Sequence, residues 1–435
     1  MKQYFTSKHA SKKTIILGVI VVIFILCGLM SSVSLAGSAS KPSGDSIVIG
    51  LPLVQSGPVG VADHNDWLNG TKLAIKEINA AGGVLGRPLK AKVVDTDILT
   101  PEGTMAGFQA LADAKVHAIS SPFVLIPQPA MDAMAASKAP YVHGNTQEAT
   151  LSLFRSNTTK YSNAFQLDPS EIWYGSGFIT FLDNLKASGK WKPKNEKIHI
   201  VQGQIAYTQL ISKETQKAIE KSDFWKLAKV TNVQSPVQDW GPVLHEIRRA
   251  KAGVIMIDHW VAAELAAFAR QFSMNPLKDA LVYLQYGPSQ PEFLDIAGAA
   301  AEGFIWSTVY GVYNDDRGSK FRADYTKEFP GTMGLAYTGG GYDATYILAN
   351  AWKAVGDVSK FKEVCDHIRK TTYRGVNGMY TLDNVSQAGV PYPDSIKDPE
   401  KGIAHLYFQV QGGAHKIIEP APFNEAEFIP APWMK

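Results

Sequence analysis

Short apolar runs alternate along this chain with longer segments in which apolar residues recur every three or four positions. A first series of such runs comprises Ile47–Val54, Leu89–Val94, Val116–Ser120 and Pro140–His143. A second series comprises His199–Gln202, Leu227–Val233, Val254–Ile257, Val282–Gln285 and Gly303–Thr308. The starts in the second series lie about 26 residues apart, which is room for one strand and one helix. Apolar strands that alternate with helices are typical of a parallel sheet covered on both faces.

The segments between these runs have the helical period. Thr71, Ala74 and Ile78 share one face, and we expect that helix to end at Gly82-Gly83, because glycine adopts the left-handed conformation at low cost. Two series of this kind predict two α/β lobes. From about Gln387 the period fades, and the proline-rich tail is predicted to be irregular surface structure packed on one lobe.

The first 36 residues have the pattern of a secretory signal. They hold four lysines and no acidic residue, and the lysines precede an apolar run from Thr14 to Met30. The small residues Ser34 and Ala36 follow it, as a cleavage site requires. We therefore predict that residues 1–36 are a signal peptide, cleaved near Ala36, and that the mature protein is periplasmic or otherwise extracytoplasmic.

Two alternatives to cleavage remain at this stage. The apolar run is long for a signal core, and an uncleaved run would act as a membrane anchor with the lysines on the cytoplasmic side. Cys27 is a second candidate, for lipid attachment, but Leu26 before it is not small. In all three cases the folded part lies outside the cytoplasm.

The net charge and the number of cysteines narrow the classes of protein to which this chain can belong. The formal net charge of +3 becomes −1 without the four lysines of the signal, and no basic run with interleaved aromatics follows, so no nucleic-acid partner is predicted. Cys365 is then the only cysteine, and we expect a small buried residue without a disulfide. A mature chain of about 400 residues suggests two domains.

Sequence motifs for catalysis are missing. The chain contains no Walker loop, no G-x-S-x-G elbow and no HExxH or paired-cysteine metal motif. Gly339-Gly340-Gly341 does not fit the dinucleotide fingerprint and is interpreted as a turn. An exported hydrolase is therefore a poor hypothesis, and we predict a protein that is not an enzyme and has no cofactor.

Two polar clusters need separate consideration. Asp63, His64 and Asp66 contain metal-ligating side chains, but we interpret them as a solvated loop and predict no metal. Asp258-His259 follows an apolar strand, and two readings stay open: a capped strand end, or a polar group that faces a cleft. Ligands of open α/β sheets bind at the carboxyl ends of strands.

An ordered set of motifs resembles a known family. SGPVG is followed by NGTKLAIKEINAAGGVLGRPLKAKVVDTD, and then, in order, come PQPAMDAMAASKAPYV, DWGPVLHEIRRAKAGVIMI, IAGAAAEGFIW and YDATYILANAW. This set is similar to the type I periplasmic solute-binding proteins, the Leu/Ile/Val-binding (branched-chain amino acid) family of ABC transporters. It extends from Ile47 to about Asp383, which is nearly the whole mature chain.

The resemblance implies an α/β fold with two Rossmann-like lobes, whose parallel sheets are joined by a three-segment hinge. By position, lobe 1 comprises residues 46–167 plus 309–372, and lobe 2 comprises residues 168–308 plus 373–435 with the C-terminal tail. One small molecule is expected between the lobes. The implied partners are a membrane ABC permease with its cytoplasmic ATPase, and the protein is expected to be a monomer.

The resemblance also implies a set of ligand contacts. In lobe 1 these are Phe123 and Val124 after the third strand, and Asn145, Thr146 and Gln147 after the fourth. In lobe 2 they are Tyr207, Trp260 and Tyr286, with Asp258 beside them. Gln55 and the loop with Asp63 and His64 border the same mouth.

This chain departs from the amino-acid-binding pattern of the family. The serine that usually receives the ligand's α-carboxylate is replaced near Val124, and a threonine is replaced by Gln147. Tyr286 takes the place of an acidic residue that often receives the α-ammonium, although Asp258 offers a substitute. The aromatic residues with amide donors suit a solute with a flat or apolar body and a hydrogen-bonding head. Amides, urea-like compounds, aromatic or other organic acids and amino acids all stay open.

We therefore predict a solute-binding protein of an ABC importer. The alternative is a ligand-sensing subunit of the same fold, whose closed form is read by a membrane receptor. The two differ only in the membrane partner.

Overall fold

Two sheets, one parallel and one mixed, form the centre of the molecule, whose computed structural model describes residues 41–434. The predicted signal segment, its cleavage point near Ala36 and Cys27 lie outside the described residues. Between residues 41 and 434, no helix is long and apolar enough to cross a bilayer. Cys365 is buried in the hydrophobic core, as expected, and it is a free cysteine among the described residues.

The first sheet contains five parallel strands in the order β2-β1-β3-β4-β5. These strands are β1 (Ile47–Leu53), β2 (Leu89–Asp95), β3 (Ala118–Ser121), β4 (Tyr141–His143) and β5 (Ala164–Gln166). The four predicted runs of the first series are confirmed. The three-residue strand β5 was not predicted, because Ala-Phe-Gln is too short to show a pattern.

The second sheet has seven strands in the order β16-β15-β10-β9-β8-β6-β7. They are β6 (Lys197–Gly203), β7 (Lys226–Val233), β8 (Val254–Asp258), β9 (Leu281–Gln285), β10 (Ile305–Thr308), β15 (Leu406–Gln411) and β16 (Ala414–Glu419). Its first five strands in the chain are parallel and repeat the order of the first sheet, whereas β15 and β16 pair antiparallel at one edge. The expectation of an irregular tail is therefore wrong for these two strands, which the turn at Gly412-Gly413 joins as a hairpin.

Helices flank both sheets. They are α1 (Val61–Ala80), α2 (Pro101–Asp113), α3 (Pro127–Ser137), α4 (Glu148–Ser156), α5 (Ile172–Ala187), α6 (Ala206–Glu220), α7 (Gly241–Ala250), α8 (Ala262–Met274), α9 (Glu292–Ala297), α10 (Asp316–Glu328), α11 (Tyr337–Val355) and α12 (Phe361–Lys370). The structure also contains two short strand pairs, β11 (Tyr373–Arg374) with β12 (Met379–Tyr380) and β13 (Pro391–Tyr392) with β14 (Ile403–Ala404), and several short 3-10 helices. We call the first sheet with the helices packed on it lobe 1, and the second sheet with its helices lobe 2.

Helices α1 and α11 pack closely beside the first sheet, and α11 also contacts β3 and β4. Glycines make this contact possible. A Cβ atom at Gly341 would lie 2.0 Å from the carbonyl oxygen of Trp67, and one at Gly70 would lie 1.8 Å from that of Thr338. The glycine triplet, interpreted above as a turn, is in fact part of α11. Backbone contact between the helices fixes the start of α11, at Tyr337, over the end of the sheet.

The residue bounds of the two lobes stay a prediction. The segment after β12 contacts the first sheet, since Gly389 N–H donates to Gln166 O at the β5 edge (3.0 Å) and Gln387 Nε2 donates to Ala164 O (2.9 Å). This segment lies within the range assigned above to lobe 2.

Candidate ligand site: an aromatic cleft between the lobes

A cleft of about 430 Å³ lies where the carboxyl ends of the two parallel sheets meet. Both sheets reverse their strand order between the first and the third of their parallel strands, and ligands of such sheets bind at this point. The lining residues follow β3, β4, β6, β8 and β9 or begin α11. They are Phe123, Leu125, Asn145, Thr146, Gln147, Ile205, Tyr207, Trp260, Tyr286 and Tyr337.

Aromatic rings from both lobes form most of this cleft. Phe123 of lobe 1 lies edge-on to Trp260 of lobe 2, with ring centroids 6.2 Å apart. Tyr337 is 5.6 Å from Phe123 and 6.0 Å from Tyr286. Together with Tyr207, five rings surround one space, and such a lining favours a flat or apolar ligand body.

The polar groups of lobe 1 come from the loop after β4. The Asn145 amide donates to Thr150 Oγ1 at 2.7 Å, and its Oδ1 atom is buried with no hydrogen-bond partner between residues 41 and 434. The Thr146 hydroxyl donates to the Asp168 carboxylate and lies 3.4 Å from the Tyr337 hydroxyl. Gln147 precedes α4 and is half-buried. This loop therefore offers an amide oxygen and hydroxyl groups to a ligand's polar head.

In lobe 2, a neighbouring amide orients Tyr207. Gln285, the last residue of β9, donates from Nε2 to the Tyr207 hydroxyl at 3.0 Å. Gln285 itself is fully buried, and its Oε1 atom has no partner among the described residues. The phenol oxygen thus accepts from the protein, which leaves its own proton free to donate towards the cleft.

Asp63 of lobe 1 makes a direct contact with lobe 2. The Tyr286 hydroxyl donates to Asp63 Oδ1 at 2.6 Å, and Gln290 Nε2 donates to Asp63 Oδ2 at 2.7 Å. All three side chains are buried. Burial raises the pKa of Asp63 to about 7, and the two hydrogen bonds only partly offset it.

Tyr286 has an unusual backbone. Its φ of 31° lies in the left-handed region, which a bulky side chain rarely adopts. The Asp63 contact holds its hydroxyl, and its carbonyl accepts from Ser289 N–H at 2.8 Å. Strain of this kind costs roughly 1–3 kcal/mol and is concentrated at functional sites.

None of the ten lining residues carries a formal charge. Carboxyl groups lie one layer behind the lining, at Asp63, Asp168 and Glu171. Burial raises the pKa of each of them, to about 7 for Glu171 and well above the usual range for Asp168. The cleft therefore presents rings, amides and hydroxyls to its occupant and no ion-pair partner.

Seven of the eleven residues predicted as ligand contacts line this cleft: Phe123, Asn145, Thr146, Gln147, Tyr207, Trp260 and Tyr286. Four do not. Gln55 is exposed on the loop after β1, Val124 is buried beside Phe123, and Asp258 is buried at the end of β8, where burial raises its pKa. The role of all eleven as ligand contacts stays a prediction.

His64 supports the lining from behind. Its Nδ1 accepts from the Val54 N–H at 3.0 Å, and its ring lies edge-on to Phe123 with centroids 4.9 Å apart. Burial lowers the pKa of His64 to about 3, so the imidazole is neutral. It fixes the Phe123 ring and does not face the cleft itself.

The expectation that Asp63, His64 and Asp66 form a solvated loop is wrong. Helix α1 begins at Val61, and all three side chains are buried in its first two turns. Gly60, with φ 86°, turns the chain into the helix. Within residues 41–434, no three His, Cys, Asp or Glu side chains come close enough to hold a metal ion.

Three lining residues were not predicted: Leu125, Ile205 and Tyr337. Leu125 and Ile205 follow strand ends by only a few residues, and this placement is the signal that would have found them. Tyr337 begins a helix far along the chain, and only the tight packing of α11 on α1 brings it to the cleft.

Comparisons with known proteins place the chain among solute-binding proteins. A family model described as periplasmic binding protein matches residues 46–391. The structure of a protein from Silicibacter pomeroyi, assigned to branched-chain amino acid ABC transport, is 31% identical and superposes with a TM-score of 0.83, covering 90% of this chain and 100% of that one. An ABC transporter substrate-binding protein from Sphaerobacter thermophilus is 19% identical, with a TM-score of 0.73 over 88% of this chain and 100% of its own.

A curated relative adds a sequence match. The leucine-, isoleucine-, valine-, threonine-, and alanine-binding protein of Pseudomonas aeruginosa is 24% identical over 366 residues, which cover 82% of this chain and 91% of the relative. The match extends over both lobes, so the similarity concerns the whole two-lobed fold.

Proposed function

This chain belongs to the periplasmic binding protein family of ABC transporters, and on that premise we propose that its cleft captures a small uncharged organic solute. The chain is an extracytoplasmic solute-binding protein, and its partners are a small-molecule ligand and a membrane permease. The proposed ligand has a flat or apolar body and a hydrogen-bonding head, as an amide or a substituted aromatic compound has.

The composition of the lining carries this proposal. Five aromatic rings and three polar uncharged side chains face the cleft, and no charged side chain does. An ammonium or carboxylate group that is buried without a counter-charge costs several kcal/mol. An uncharged head avoids that cost, because the hydroxyl and amide groups of Thr146, Asn145 and Tyr207 satisfy it by hydrogen bonds.

Zwitterionic amino acids are the alternative ligand class, and the Pseudomonas relative is named for binding them. For this cleft they would need the buried Asp63 or Asp168 to act as the counter-charge. Asp63 already has a partner on each oxygen, since it accepts from Tyr286 and Gln290. Asp168 accepts from Thr146 through Oδ2, and its Oδ1 has no partner among the described residues. The occupied Asp63 favours the uncharged class, and Asp168 is the counter-charge that an amino acid would need.

Closure of the lobes would provide selectivity. Contacts from both lobes to one solute exist only in the closed form, so the solute that completes them shifts the population towards that form.

We propose that the solute is released chemically unchanged, that the protein acts as a monomer, and that export occurs through a cleaved signal. Intact-mass measurement of the secreted protein tests the cleavage near Ala36.

The ligand class is tested by calorimetric titration with leucine, isoleucine, benzoate, benzamide and acetamide. We expect at least one amide to bind more tightly than either amino acid. Tighter binding of the amino acids would contradict the uncharged class and show that the cleft prefers zwitterionic ligands. Crosslinking of the ligand-bound protein to its membrane partner distinguishes transport from sensing. Recovery of a permease supports the transport role, and recovery of a receptor supports the sensory alternative.

A further inference from the structure

We propose that the contact between Asp63 and the loop after β9 is a proton-controlled latch, in which the neutral acid holds the lobes together and loss of its proton opens the cleft. The latch consists of Asp63, in the first turn of α1, with Tyr286 and Gln290. We call these three residues the Asp63 latch. It goes beyond solute capture, because it controls the lobes before any solute binds.

The two halves of the latch come from different lobes. Asp63 belongs to α1 on the first sheet, whereas Tyr286 and Gln290 follow β9 of the second sheet. The Tyr286 hydroxyl donates to Oδ1 at 2.6 Å and Gln290 Nε2 donates to Oδ2 at 2.7 Å, so lobe 2 supplies a donor to each carboxyl oxygen. Asp63 is 1% exposed in this closed arrangement. Separation of the lobes would remove both donors at once and let water reach the carboxyl group.

Asp63 has no counter-charge in the closed form. The ionisable groups next to it are His64 and Asp66 of α1, Tyr286 and Glu292 of lobe 2, and Tyr337 at the start of α11. Burial lowers the pKa of His64 to about 3, so its ring is neutral, and the two carboxylates repel a negative charge on Asp63. Between residues 41 and 434, no Lys or Arg side chain pairs with Asp63. A buried carboxylate without a cation is costly, and the neutral acid avoids that cost.

The neutral acid can keep both hydrogen bonds. A tyrosine hydroxyl and a glutamine amide each offer a donor and an acceptor, so the carboxyl proton finds an acceptor in the latch. Ionisation therefore weakens the closed form through burial of charge, whereas in the open form water solvates the same charge.

The direction of the pH dependence follows from these two states. Burial raises the pKa of Asp63 to about 7 in the closed form, against 3.8 for an ordinary aspartate. The closed form binds the proton more tightly, so its advantage over the open form is complete below pH 3.8 and is lost as the pH rises through about 7. The ratio of closed to open protein should fall about fiftyfold between pH 5 and pH 7.

Energy transfer between two fluorescent labels measures this ratio without a solute. Leu99→Cys, after β2, and Gln234→Cys, after β7, introduce thiols at exposed positions next to an edge strand of each sheet. Cys365 is buried, so the introduced thiols take the labels. We expect energy transfer to fall between pH 5 and pH 8 and to change little above that.

Three variants separate the latch from other titrating groups. Asp63→Asn cannot ionise and should be equally closed at pH 5 and pH 8. Glu419→Gln is the matched control: burial also raises the pKa of Glu419 to about 7, but its hydrogen-bond partner Asn184 belongs to the same lobe, so this variant should keep the response. Tyr286→Phe keeps the carboxyl group and loses one donor, which should lower the closed-to-open ratio at pH 5 about threefold to tenfold. It tests the latch even if Asp63→Asn fails to fold.

Infrared difference spectra between pH 6 and pH 9 report the proton itself. We expect the wild type to lose the C=O band of a protonated carboxylic acid that is missing from the same difference in Asp63→Asn and present in Glu419→Gln.

Three results would overturn the proposal. Energy transfer that stays constant from pH 5 to pH 9 shows that no proton controls the lobes. A response that Asp63→Asn retains, or that Glu419→Gln loses equally, assigns the control to another group. Identical infrared differences in wild type and Asp63→Asn show that Asp63 holds no proton at pH 6. None of these measurements involves a solute, so each of these failures leaves the proposed ligand class in place.

Discussion

Asp63 and Tyr286 lie 223 positions apart in the chain and on opposite lobes, yet the Tyr286 hydroxyl donates a 2.6 Å hydrogen bond to the Asp63 carboxylate. Gln290 adds a second donor from the same lobe as Tyr286. The contact closes the cleft on the side of Tyr286, whose ring lines the ligand space. The lobes are therefore joined beside the aromatic cleft by protein groups of their own.

Removal of the Tyr286 hydroxyl should weaken closure. In Tyr286→Phe the ring remains, but Asp63 Oδ1 loses its donor while it stays buried, which costs about 1–3 kcal/mol. We expect lower affinity for any bound solute and a lower melting temperature of the closed form, measured by calorimetry. Tyr392→Phe is the matched control, since its hydroxyl bonds to Ala421 O in an exposed position and its loss should change stability by less than about 0.5 kcal/mol. Equal effects in the two variants would contradict the role of the contact.

Asp63 should also make stability depend on pH. Its pKa is about 7 in the folded protein and near 3.8 when exposed, because burial disfavours the charge. The folded state therefore holds the proton more tightly, and the free energy of unfolding falls as pH rises from about 4 to 7, by about 2 kcal/mol between pH 5 and pH 7. Burial also raises the pKa of the nearby Asp66 and lowers that of His64, and both add a pH dependence of their own. The measured quantity is therefore a difference between variants.

Asp63→Asn isolates this contribution. The amide does not titrate. We expect the free energy of unfolding in urea to fall by about 2 kcal/mol less in the variant than in the wild type between pH 5 and pH 7. If the two curves ran parallel, Asp63 would not take up a proton on folding.

The contact between α1 and α11 should not tolerate a side chain at Gly341. A Cβ atom there would lie 2.0 Å from the Trp67 carbonyl oxygen, so Gly341→Ala forces the helices apart. We expect a loss of several degrees in melting temperature and a weaker ligand response, because Tyr337 moves with α11. Gly241→Ala is the control: the nearest atom to its Cβ is the flexible Asp239 side chain at 3.1 Å. Similar melting temperatures for the two variants would contradict the packing argument.

The rings of Tyr207 and Trp260 should matter for binding more than for folding. Both are only partly buried in the ligand-free protein, so truncation to alanine leaves the core intact. Loss of an aromatic anchor should cost about 2 kcal/mol, or about thirtyfold in affinity. Trp352→Ala is the contrasting control, because Trp352 is fully buried in α11 and its loss should lower stability by about 3–5 kcal/mol. Unchanged affinity with reduced stability in Trp260→Ala would show a packing role.

Local patterns in the sequence were enough to predict most strands and the two-lobe α/β class. The family resemblance gave the positions of seven lining residues, which follow the ends of apolar strands. The pattern did not show that Asp63 and His64 are helical and buried, because a polar segment after Gly60 has the composition of a loop. Asp63 is buried against Tyr286 and Gln290, more than 200 residues away, and no local signal reports such a contact.

Two further differences from the sequence predictions have separate origins. The glycine triplet at 339–341 lies in a helix although glycine disfavours helices in isolation, because close packing on Trp67 overrides that propensity. Strands β15 and β16 did have a local signal, since Leu406–Gln411 is rich in strand-forming residues and Gly412-Gly413 is a two-residue hairpin turn.

The central claim is that the aromatic cleft holds an uncharged solute, and one experiment tests it most directly. Melting temperatures of wild type and Trp260→Ala are measured side by side against amides, urea, aromatic acids and amino acids. A true ligand at one hundred times its Kd adds about 2.7 kcal/mol to stability. We predict that at least one uncharged solute raises the melting temperature of the wild type and has little effect on Trp260→Ala. Stabilisation by amino acids alone, or an equal response of both proteins, would contradict the account.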